Sequence, residues 1–294
     1  MRLLSFGEAG REKPGALVDG MILDLQAIDP SLPGSIREIL ALERLHDVTR
    51  ALRHMDTPAP AETLQLLPLE ATRIGPPIPN PSKIICIGLN YADHAAEQNR
   101  PLPEKPLLFA KAPSALCGSG DPILLPEDEQ VDVEAELAVV IGRRARNLRA
   151  EATQAVIAGY MCFNDVSGRK AQYADRQWFR GKSYDTFAPC GPCLVTCDEV
   201  PDAHALAIRS RIDGQVMQDS RTDQLVFPVP QLLEYISHSM TLLPGDIIAT
   251  GTPAGVGVFR RPPVFLKDGD VVTVTIESLG TLTNPVHSLR PTPR

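Results

Sequence analysis

The chain has 294 residues, of which 43% are hydrophobic and 22% are charged, and its formal net charge at pH 7 is -7. These proportions are typical of a globular protein of one or two domains. The acidic balance argues against nucleic acid and anionic membranes as partners, because both repel a negatively charged surface. The sequence contains no run of about 18 apolar residues and no signal-peptide core, so we expect a cytoplasmic protein.

The amino-terminal part is predicted to form a small α+β domain over residues 1–75. Short apolar segments flank Asp19-Gly20, a dipeptide that favours a tight hairpin turn. Ser35 and Glu38 stand at the spacing of a capping box, which indicates the start of a helix. The proline-rich segment that follows cannot enter the centre of a sheet. We therefore expect a second domain over residues 76–294.

A histidine and a glutamate come next, on a predicted helix over residues 90–99 that follows a buried strand. His94 and Glu97 are three residues apart on one helical face, so their side chains can form a hydrogen bond. A carboxylate that holds one imidazole nitrogen leaves the other nitrogen as a base for water. The alternative is a solvated surface pair.

Three carboxylates are predicted to converge further along the chain. Glu134 and Glu136 are two residues apart at the start of an apolar run, and side chains at that spacing share one face of a strand. Asp165 ends a second apolar run, which a predicted helix over residues 147–157 returns beside the first. Three close anions repel one another unless they are protonated or bind a cation. Oxygen donors suit Mg2+ or Mn2+, with Ca2+ as an alternative and a solvated sheet edge as the non-metal interpretation.

Basic residues are concentrated between residues 168 and 185, directly after the third carboxylate. In an acidic chain this local excess suits a substrate that bears a carboxylate, although part of it is expected to be a solvated loop face. Lys111 follows another predicted strand and points either into the same cleft or to water. The cations of the segment are Arg169, Lys170, Arg176, Arg180 and Lys182.

The cysteines offer a different interpretation of the chain. Cys190-Gly-Pro-Cys193 has the spacing of a thioredoxin-type pair, and with Cys197 it could form a soft-metal site. Redox chemistry of that type needs the first cysteine at a helix N-terminus, whereas the flanking residues predict a turn and then a strand. We therefore expect buried thiols, and a redox protein is the alternative.

The carboxyl-terminal part is predicted to be rich in strands. A hairpin turns at Asp213-Gly214, a helix covers residues 229–240, and strands cover residues 245–250 and 268–276. The glycines at 251–257 would let backbone amides approach an anion. They lack the Gly-Lys-Ser/Thr ending of a phosphate-binding loop, so nucleotide binding is not expected.

Taken together, these stretches resemble the fumarylacetoacetate hydrolase family. The resemblance implies a mixed β fold with α-helices, in which a catalytic domain of rolled β-sheets is joined to the small amino-terminal α+β domain, usually in a homodimer. Five motifs in the expected order support it: Ile87–Glu97, Glu134–Gly142, Asn164–Ser167, Gly181–Asp185 and Gly245–Gly257.

The resemblance also implies roles for individual residues. Many members of the family have an acidic residue where this chain has Lys170, and the reversed charge is expected to favour a second carboxylate on the substrate. The implied site comprises the ligands of Mg2+ or Mn2+, Glu134, Glu136 and Asp165; the water-activating pair His94 and Glu97; the substrate-facing Lys182; and the substrate-binding residues Arg169, Gln172, Thr252 and, by a weaker match, Lys111.

These observations predict a metal-dependent hydrolase that cleaves a carbon–carbon bond in an acylpyruvate-like 2,4-dioxo acid. The ion would stabilise the enolate that develops as the bond breaks, and Lys182 would add positive charge. Water activated by His94 would attack the distal carbonyl group. The alternative uses the same site without an attacking water, for tautomerisation or decarboxylation of oxaloacetate or isomerisation of a hydroxydienoate.

Overall fold

A computed structural model of the chain describes residues 1–53 and 66–289. Within these ranges the fold consists mainly of β-sheets, and short helices connect the strands. The strands are β1 Arg2–Phe6, β2 Lys13–Val18, β3 Met21–Asp24, β4 Leu66–Pro68, β5 Ile74–Gly75, β6 Ile84–Gly88, β7 Leu107–Lys111, β8 Leu116–Cys117, β9 Ile123–Leu125, β10 Val131–Asp132, β11 Ala135–Ile141, β12 Ile157–Asn164, β13 Ser167–Gly168, β14 Ala188–Thr196, β15 Ala207–Ile212, β16 Gln215–Arg221, β17 Ile247–Ala249, β18 Val271–Ile276 and β19 Gly280–Ser288.

The helices of the described residues are mostly one or two turns long, and none of them is long and apolar enough to cross a membrane. The α-helices are α1 Leu25–Ile28, α2 Ile36–Ala41, α3 Leu45–Arg53, α4 Ala92–Glu97, α5 Arg169–Ala174, α6 Phe179–Lys182 and α7 Val229–Ser239. Short 3-10 helices cover Leu69–Ala71, Pro113–Ala115, Ala150–Val156, Cys197–Glu199, Thr222–Gln224 and Gly257–Phe259.

The strands of residues 1–53 and 66–289 form three sheets, which confirms the predicted mixed fold dominated by sheets. The largest sheet has twelve strands; its main path runs β4-β3-β2-β1-β14-β12-β11-β17-β6-β7, while β5 pairs with β1 and β8 with β14. A five-stranded sheet has the order β16-β15-β18-β19-β9, and β10 pairs with β13. The centre of the large sheet is apolar on both faces, since the side chains of β11 alternate between two separate hydrophobic clusters.

The amino-terminal hairpin forms as the sequence predicts. Asp19 and Gly20 have φ angles of 48° and 77°, which is the left-handed conformation that a two-residue hairpin turn requires. β1 also pairs antiparallel with β14, so this hairpin extends the sheet that contains the catalytic motifs. The domain boundary at residue 75 stays a prediction, and residues 54–65 of the proposed first domain lie outside the described residues.

Of two predicted helices, one forms as expected and the other differs. The Ser35 hydroxyl accepts a hydrogen bond from the Glu38 amide, at 3.2 Å, at the start of α2, which confirms the predicted cap. The helix predicted over residues 147–157 is instead a 3-10 helix over Ala150–Val156. The helical segment has only seven residues before β12 begins at Ile157, and i to i+3 hydrogen bonds are frequent in short connecting segments.

The final strand, β19, was absent from the sequence prediction. Its Asn284-Pro285 dipeptide is a turn signal, and proline cannot donate to a neighbouring strand. β19 pairs with β18 through Pro285 and with β9 only from Val286 onward. The proline therefore stands where the strand changes partner, a position that the local sequence does not reveal.

Candidate active site

The three predicted metal ligands converge because β11 and β12 are antiparallel neighbours. Ala135 pairs with Asn164, so Glu134 and Glu136 at the start of β11 lie beside Asp165 at the end of β12. The Asp165 amide donates to the Glu134 carbonyl oxygen at 2.9 Å, which fixes this alignment. One carboxylate oxygen from each residue lies within 4.8 Å of the other two, and all three side chains are buried.

Two of the carboxylates are neutralised by buried cations. Lys182 donates to Glu134 at 2.9 Å and to Asp165 at 2.6 Å, while Lys111 donates to Asp165 at 2.5 Å. Arg169 donates to Glu134 at 2.6 Å. Burial raises the pKa of Glu134, but the charges of Lys182 and Arg169 outweigh burial and hold this pKa far below its usual value. Glu134 is therefore anionic.

Glu136 differs from its two neighbours in its charge balance. Among the described residues it has no cationic side-chain partner, and its carboxylate accepts a hydrogen bond from the Gly251 amide at 2.9 Å. It is only 1% exposed. Burial, together with the charges of Asp165 and Glu134, raises the pKa of Glu136 well above the ordinary value. This carboxylate needs a proton or an additional cation.

These features fit a hard divalent cation. The donors are all carboxylate oxygens, which Mg2+ and Mn2+ prefer over the nitrogen and sulfur ligands of softer ions. Glu136 provides a negative charge that the protein's own cations leave unbalanced. The cluster of Glu134, Glu136 and Asp165 can therefore hold a metal ion, as the sequence predicted.

The predicted histidine–glutamate pair forms on α4. His94 Nδ1 lies 2.9 Å from Glu97 Oε2, and the His94 side chain is almost fully buried. Glu97 also accepts from the Gly255 amide at 2.8 Å. Asp93, on the same helix, accepts from Ser220 on β16 at 2.6 Å. The helix is thus held against β16 and the glycine-rich loop, and Glu97 engages only Nδ1 of the imidazole, so Nε2 contacts a different group.

Both halves of the site face one cavity of about 260 Å³. Aromatic rings form part of its wall: Phe109 and Trp178 meet edge to face at 5.2 Å, and Lys182 Nζ lies 5.3 Å from the Phe109 ring centre. Seven of the ten predicted site residues line the cavity, namely His94, Glu134, Glu136, Arg169, Gln172, Lys182 and Thr252. The other three do not line the cavity: Glu97 contacts His94, and Lys111 contacts Asp165.

Two cations that sequence analysis considered, Lys111 and Lys170, do not line the cavity. Lys111 is buried under Asp165 and also donates to the Val166 carbonyl oxygen, so it is positioned to orient a metal ligand and does not line the cavity. Lys170 is exposed and donates to the Asp128 carbonyl oxygen. Lys170 is not among the residues that line the cavity, and the expected effect of its charge on substrate preference stays a prediction. The cation at the cavity wall that has no carboxylate partner among the described residues is Arg100.

The remaining predicted residues are held by neighbours. Arg169 donates to Gln172 Oε1 at 2.8 Å and to Asp132 at 2.7 Å, which fixes its guanidinium group. Thr252 donates to the Ala135 carbonyl oxygen at 2.9 Å and accepts from Gln218 at 2.7 Å. The glycine-rich loop does present amides to anions, as predicted, but these anions are the protein's own carboxylates.

Sequence reasoning missed several residues of the site. Asp132 continues the alternation of Glu134 and Glu136 at a spacing of two, so a signal was present. Gln218 lies on β16, far from the other site residues in sequence, and no local pattern distinguishes it. Gln98 follows Glu97 directly, and its amide lies 2.8 Å from His94 Nε2. The helical spacing of four between His94 and Gln98 could have revealed this contact.

The cysteine pair has no feature of a redox site. Both residues lie within β14, where Cys190 and Cys193 belong to hydrophobic clusters on opposite faces of the sheet. Burial raises the pKa of both thiols, to about 12 for Cys193. All six cysteines are free. The residues are structural thiols, as expected.

We therefore expect Cys190 and Cys193 to remain unmodified when the native protein is incubated with iodoacetamide at about pH 8, because alkylation needs an accessible thiolate. Activity should be unchanged. Peptide mass spectrometry would locate the modified thiols, with Cys197 as the internal control because it is more accessible and has a pKa raised to only about 11. Rapid modification of Cys190 with loss of activity would instead support the redox interpretation.

Comparison with known proteins identifies the family. A sequence model of the fumarylacetoacetate (FAA) hydrolase C-terminal family matches residues 83–287. The chain belongs to the fumarylacetoacetate hydrolase family. Among curated members, the oxaloacetate tautomerase fahd2 of Xenopus laevis is 45% identical, and the match covers 97% of this chain and 90% of that protein. The oxaloacetate tautomerase FAHD2A of Bos taurus is 47% identical, with coverages of 91% and 84%.

Solved structures of family members have the same fold. The fumarylacetoacetate hydrolase of Exiguobacterium antarcticum is 36% identical, with a TM-score of 0.82, and the match covers 98% of this chain and all of that one. The maleylpyruvate hydrolase of Sphingobium sp. SYK-6, solved with manganese(II) and pyruvate, is 30% identical, with a TM-score of 0.81 and coverages of 99% and 100%.

These comparisons confirm that the chain is an enzyme of this family and that its fold was predicted correctly. They include tautomerases as well as hydrolases, so the narrower prediction of carbon–carbon bond hydrolysis is not confirmed. The names of the two tautomerases place those proteins in mitochondria, so the expected cytoplasmic location is not confirmed either.

Proposed function

We propose that this protein is a metal-dependent tautomerase that interconverts the keto and enol forms of oxaloacetate, with Mg2+ or Mn2+ held by Glu134, Glu136 and Asp165. One structural observation carries the proposal: a buried carboxylate cluster with an unbalanced negative charge and a carboxylate-oriented histidine face the same small cavity. The high identity to oxaloacetate tautomerases over nearly the whole chain supports this reaction over hydrolysis.

The size and the cationic lining of the cavity suit a small dicarboxylate. The ion and the cations Lys182 and Arg169 provide positive charge for the 2-oxo acid end of the substrate. Arg100 at the cavity wall supplies a guanidinium group for the second carboxylate.

The chain's own residues supply the proton transfer. A divalent ion would provide Lewis-acid stabilisation of negative charge on the substrate oxygens. His94 Nε2 accepts a proton from the carbon between the two carbonyl-bearing carbons, and Glu97 stabilises the resulting imidazolium through Nδ1. Burial lowers the pKa of Lys182, but Asp165 and Glu134 outweigh it and raise this pKa, so Lys182 stays cationic beside the enolate. Return of a proton to the carbonyl oxygen gives the enol.

The proposal predicts that the protein rapidly equilibrates the keto and enol forms of oxaloacetate. The ultraviolet absorbance of the enol measures this reaction. With Mn2+ or Mg2+ the kcat/KM for oxaloacetate should exceed that for hydrolysis of acetylpyruvate by at least about tenfold, which corresponds to roughly 1.4 kcal/mol in activation free energy. Chelation of the metal should remove the activity, and re-addition should restore it. Faster hydrolysis of acetylpyruvate would contradict the proposal.

Hydrolysis of an acylpyruvate is the second candidate, and it is favoured by the His94–Glu97 pair, which has the geometry to activate a water. The similarity to the maleylpyruvate hydrolase supports the same candidate. The assay above separates the two reactions. The homodimer implied by the family resemblance stays a prediction, which sedimentation analysis would test.

A further inference from the structure

The side chain of Gln98 contacts the reactive nitrogen of His94. The Gln98 side-chain amide is 2.8 Å from His94 Nε2, one helical turn further along. Glu97 accepts a hydrogen bond from the opposite nitrogen, Nδ1, at 2.9 Å, which places the imidazole proton there. Nε2 therefore presents its lone pair, and the Gln98 amide donates to it.

This contact uses the whole hydrogen-bonding capacity of Nε2. A neutral imidazole has a single in-plane lone pair on its unprotonated nitrogen, so it accepts one well-directed hydrogen bond. Gln98 is attached to the helix that also bears His94, and residues four apart in a helix are neighbours. If a water replaced the Gln98 amide, Nε2 would lose one hydrogen bond and gain an equivalent one. The water would therefore have to compete with a side chain that the helix already holds beside Nε2.

The surroundings of His94 restrict the route of a water to this same position. His94 is 5% exposed, and its ring packs edge to face on Phe259, with the ring centres 5.5 Å apart. Gln98 lines the cavity together with His94. A water that approaches Nε2 from the cavity therefore meets the Gln98 amide.

We propose that Gln98 is a specificity-determining residue, which occupies the position at His94 Nε2 that a hydrolytic water needs and so favours enolisation over hydrolysis. This inference rests on the proposed function. In enolisation the substrate brings its own C–H group to Nε2 and displaces the amide by contact. In hydrolysis a water, and not the substrate C–H group, must lie at Nε2, and the amide fills the space of that water.

Hydrolysis, the reaction that Gln98 would suppress, needs only the substrate and a water. In hydrolysis of acetylpyruvate, the water oxygen forms a bond to the acetyl carbonyl carbon, and the bond between that carbon and the adjacent methylene breaks. The electron pair of the broken bond passes to the pyruvate enolate. The proton that His94 takes from water ends on the methylene carbon, so the products are acetate and pyruvate and no other reactant is needed.

The test is a change in reaction specificity of Gln98→Ala, which frees Nε2 and opens space for a water. With Mn2+ present, the kcat/KM for acetylpyruvate hydrolysis should rise by at least about tenfold. The ratio of hydrolysis to oxaloacetate tautomerisation should rise with it. A gain of hydrolysis cannot result from structural damage, so the measurement distinguishes a specificity role from a structural one.

Two further variants complete the experiment. Asn99→Gly is the matched control, because Asn99 is exposed, does not line the cavity and has a φ of 52°, which glycine adopts readily; both reactions should be unchanged. The double variant Gln98→Ala with His94→Ala should lose the gained hydrolysis. A gain that survives the loss of His94, or no gain at all in Gln98→Ala, would overturn the inference.

Failure of this inference is distinguishable from failure of the proposed function. If the unsubstituted protein does not tautomerise oxaloacetate, the proposed function is wrong, and the effect of Gln98→Ala on acetylpyruvate still decides the role of Gln98. If tautomerisation is fast and Gln98→Ala shows no hydrolysis, the proposed function stands and the inference is wrong.

Discussion

Replacing Glu136 with glutamine is expected to abolish metal binding and to reduce turnover by about three orders of magnitude or more, which corresponds to roughly 4 kcal/mol of lost transition-state stabilisation. Glutamine keeps the shape of the side chain and can still accept the Gly251 hydrogen bond. It removes the one negative charge of the cluster that no cation of the described residues balances. The attraction for a divalent ion falls accordingly.

Although Glu136→Gln should abolish metal binding, it should not destabilise the metal-free protein. Burial raises the pKa of Glu136, which has no cationic side-chain partner among the described residues. A neutral side chain therefore suits the metal-free site, and the free energy of unfolding should stay constant or rise. Glu134→Gln is the matched control. It removes one of the two anionic partners of Lys182 and of Arg169, which keep Asp165 and Asp132. The free energy of unfolding should therefore fall, by at most the roughly 3–5 kcal/mol that breaking a buried pair costs.

Thermal unfolding with and without Mn2+ would check both expectations. An ion that binds only the folded state raises its stability in proportion to the logarithm of the ion concentration over the dissociation constant. The unsubstituted protein should therefore unfold at a higher temperature with Mn2+, and Glu136→Gln should not. Persistence of the Mn2+ effect in Glu136→Gln would show that the ion binds elsewhere.

The carboxylate cluster could be predicted from sequence because it depends on two regular properties. Residues two apart share a face of a strand, and Asp165 directly follows the strand adjacent to the one that Glu134 directly precedes. The hairpins at Asp19-Gly20 and Asp213-Gly214 were predictable for a similar reason, since both dipeptides adopt the positive φ angles of a tight turn.

The distribution of cations could not be predicted in the same way. Lys111, Arg169 and Lys182 reach the carboxylates from three different elements, and only the tertiary fold determines which cation meets which anion. Lys170 shows the consequence, because it neighbours Arg169 in sequence but faces the opposite direction at the start of α5. Composition identified a basic segment without indicating which of its members face the substrate.

Replacing His94 with alanine is expected to lower kcat for oxaloacetate tautomerisation by about 10²–10⁴-fold, the usual contribution of a general base. KM should change little, because the cationic groups that hold the substrate carboxylates remain. Glu97 keeps its hydrogen bond from the Gly255 amide, so α4 should stay in place. The rise in unfolding temperature with Mn2+ should also persist, since none of the three metal ligands is altered.

His238 provides the matched control for this substitution. It is an exposed histidine on α7, outside the residues that line the cavity, so His238→Ala should retain full activity. Added imidazole should partly restore turnover in His94→Ala, because the vacated volume opens onto the cavity. Activity within about tenfold of the unsubstituted protein would mean that His94 is not the base. Proton transfer would then have to come from another group at the cavity wall, and Gln98 would have no reactive nitrogen to protect.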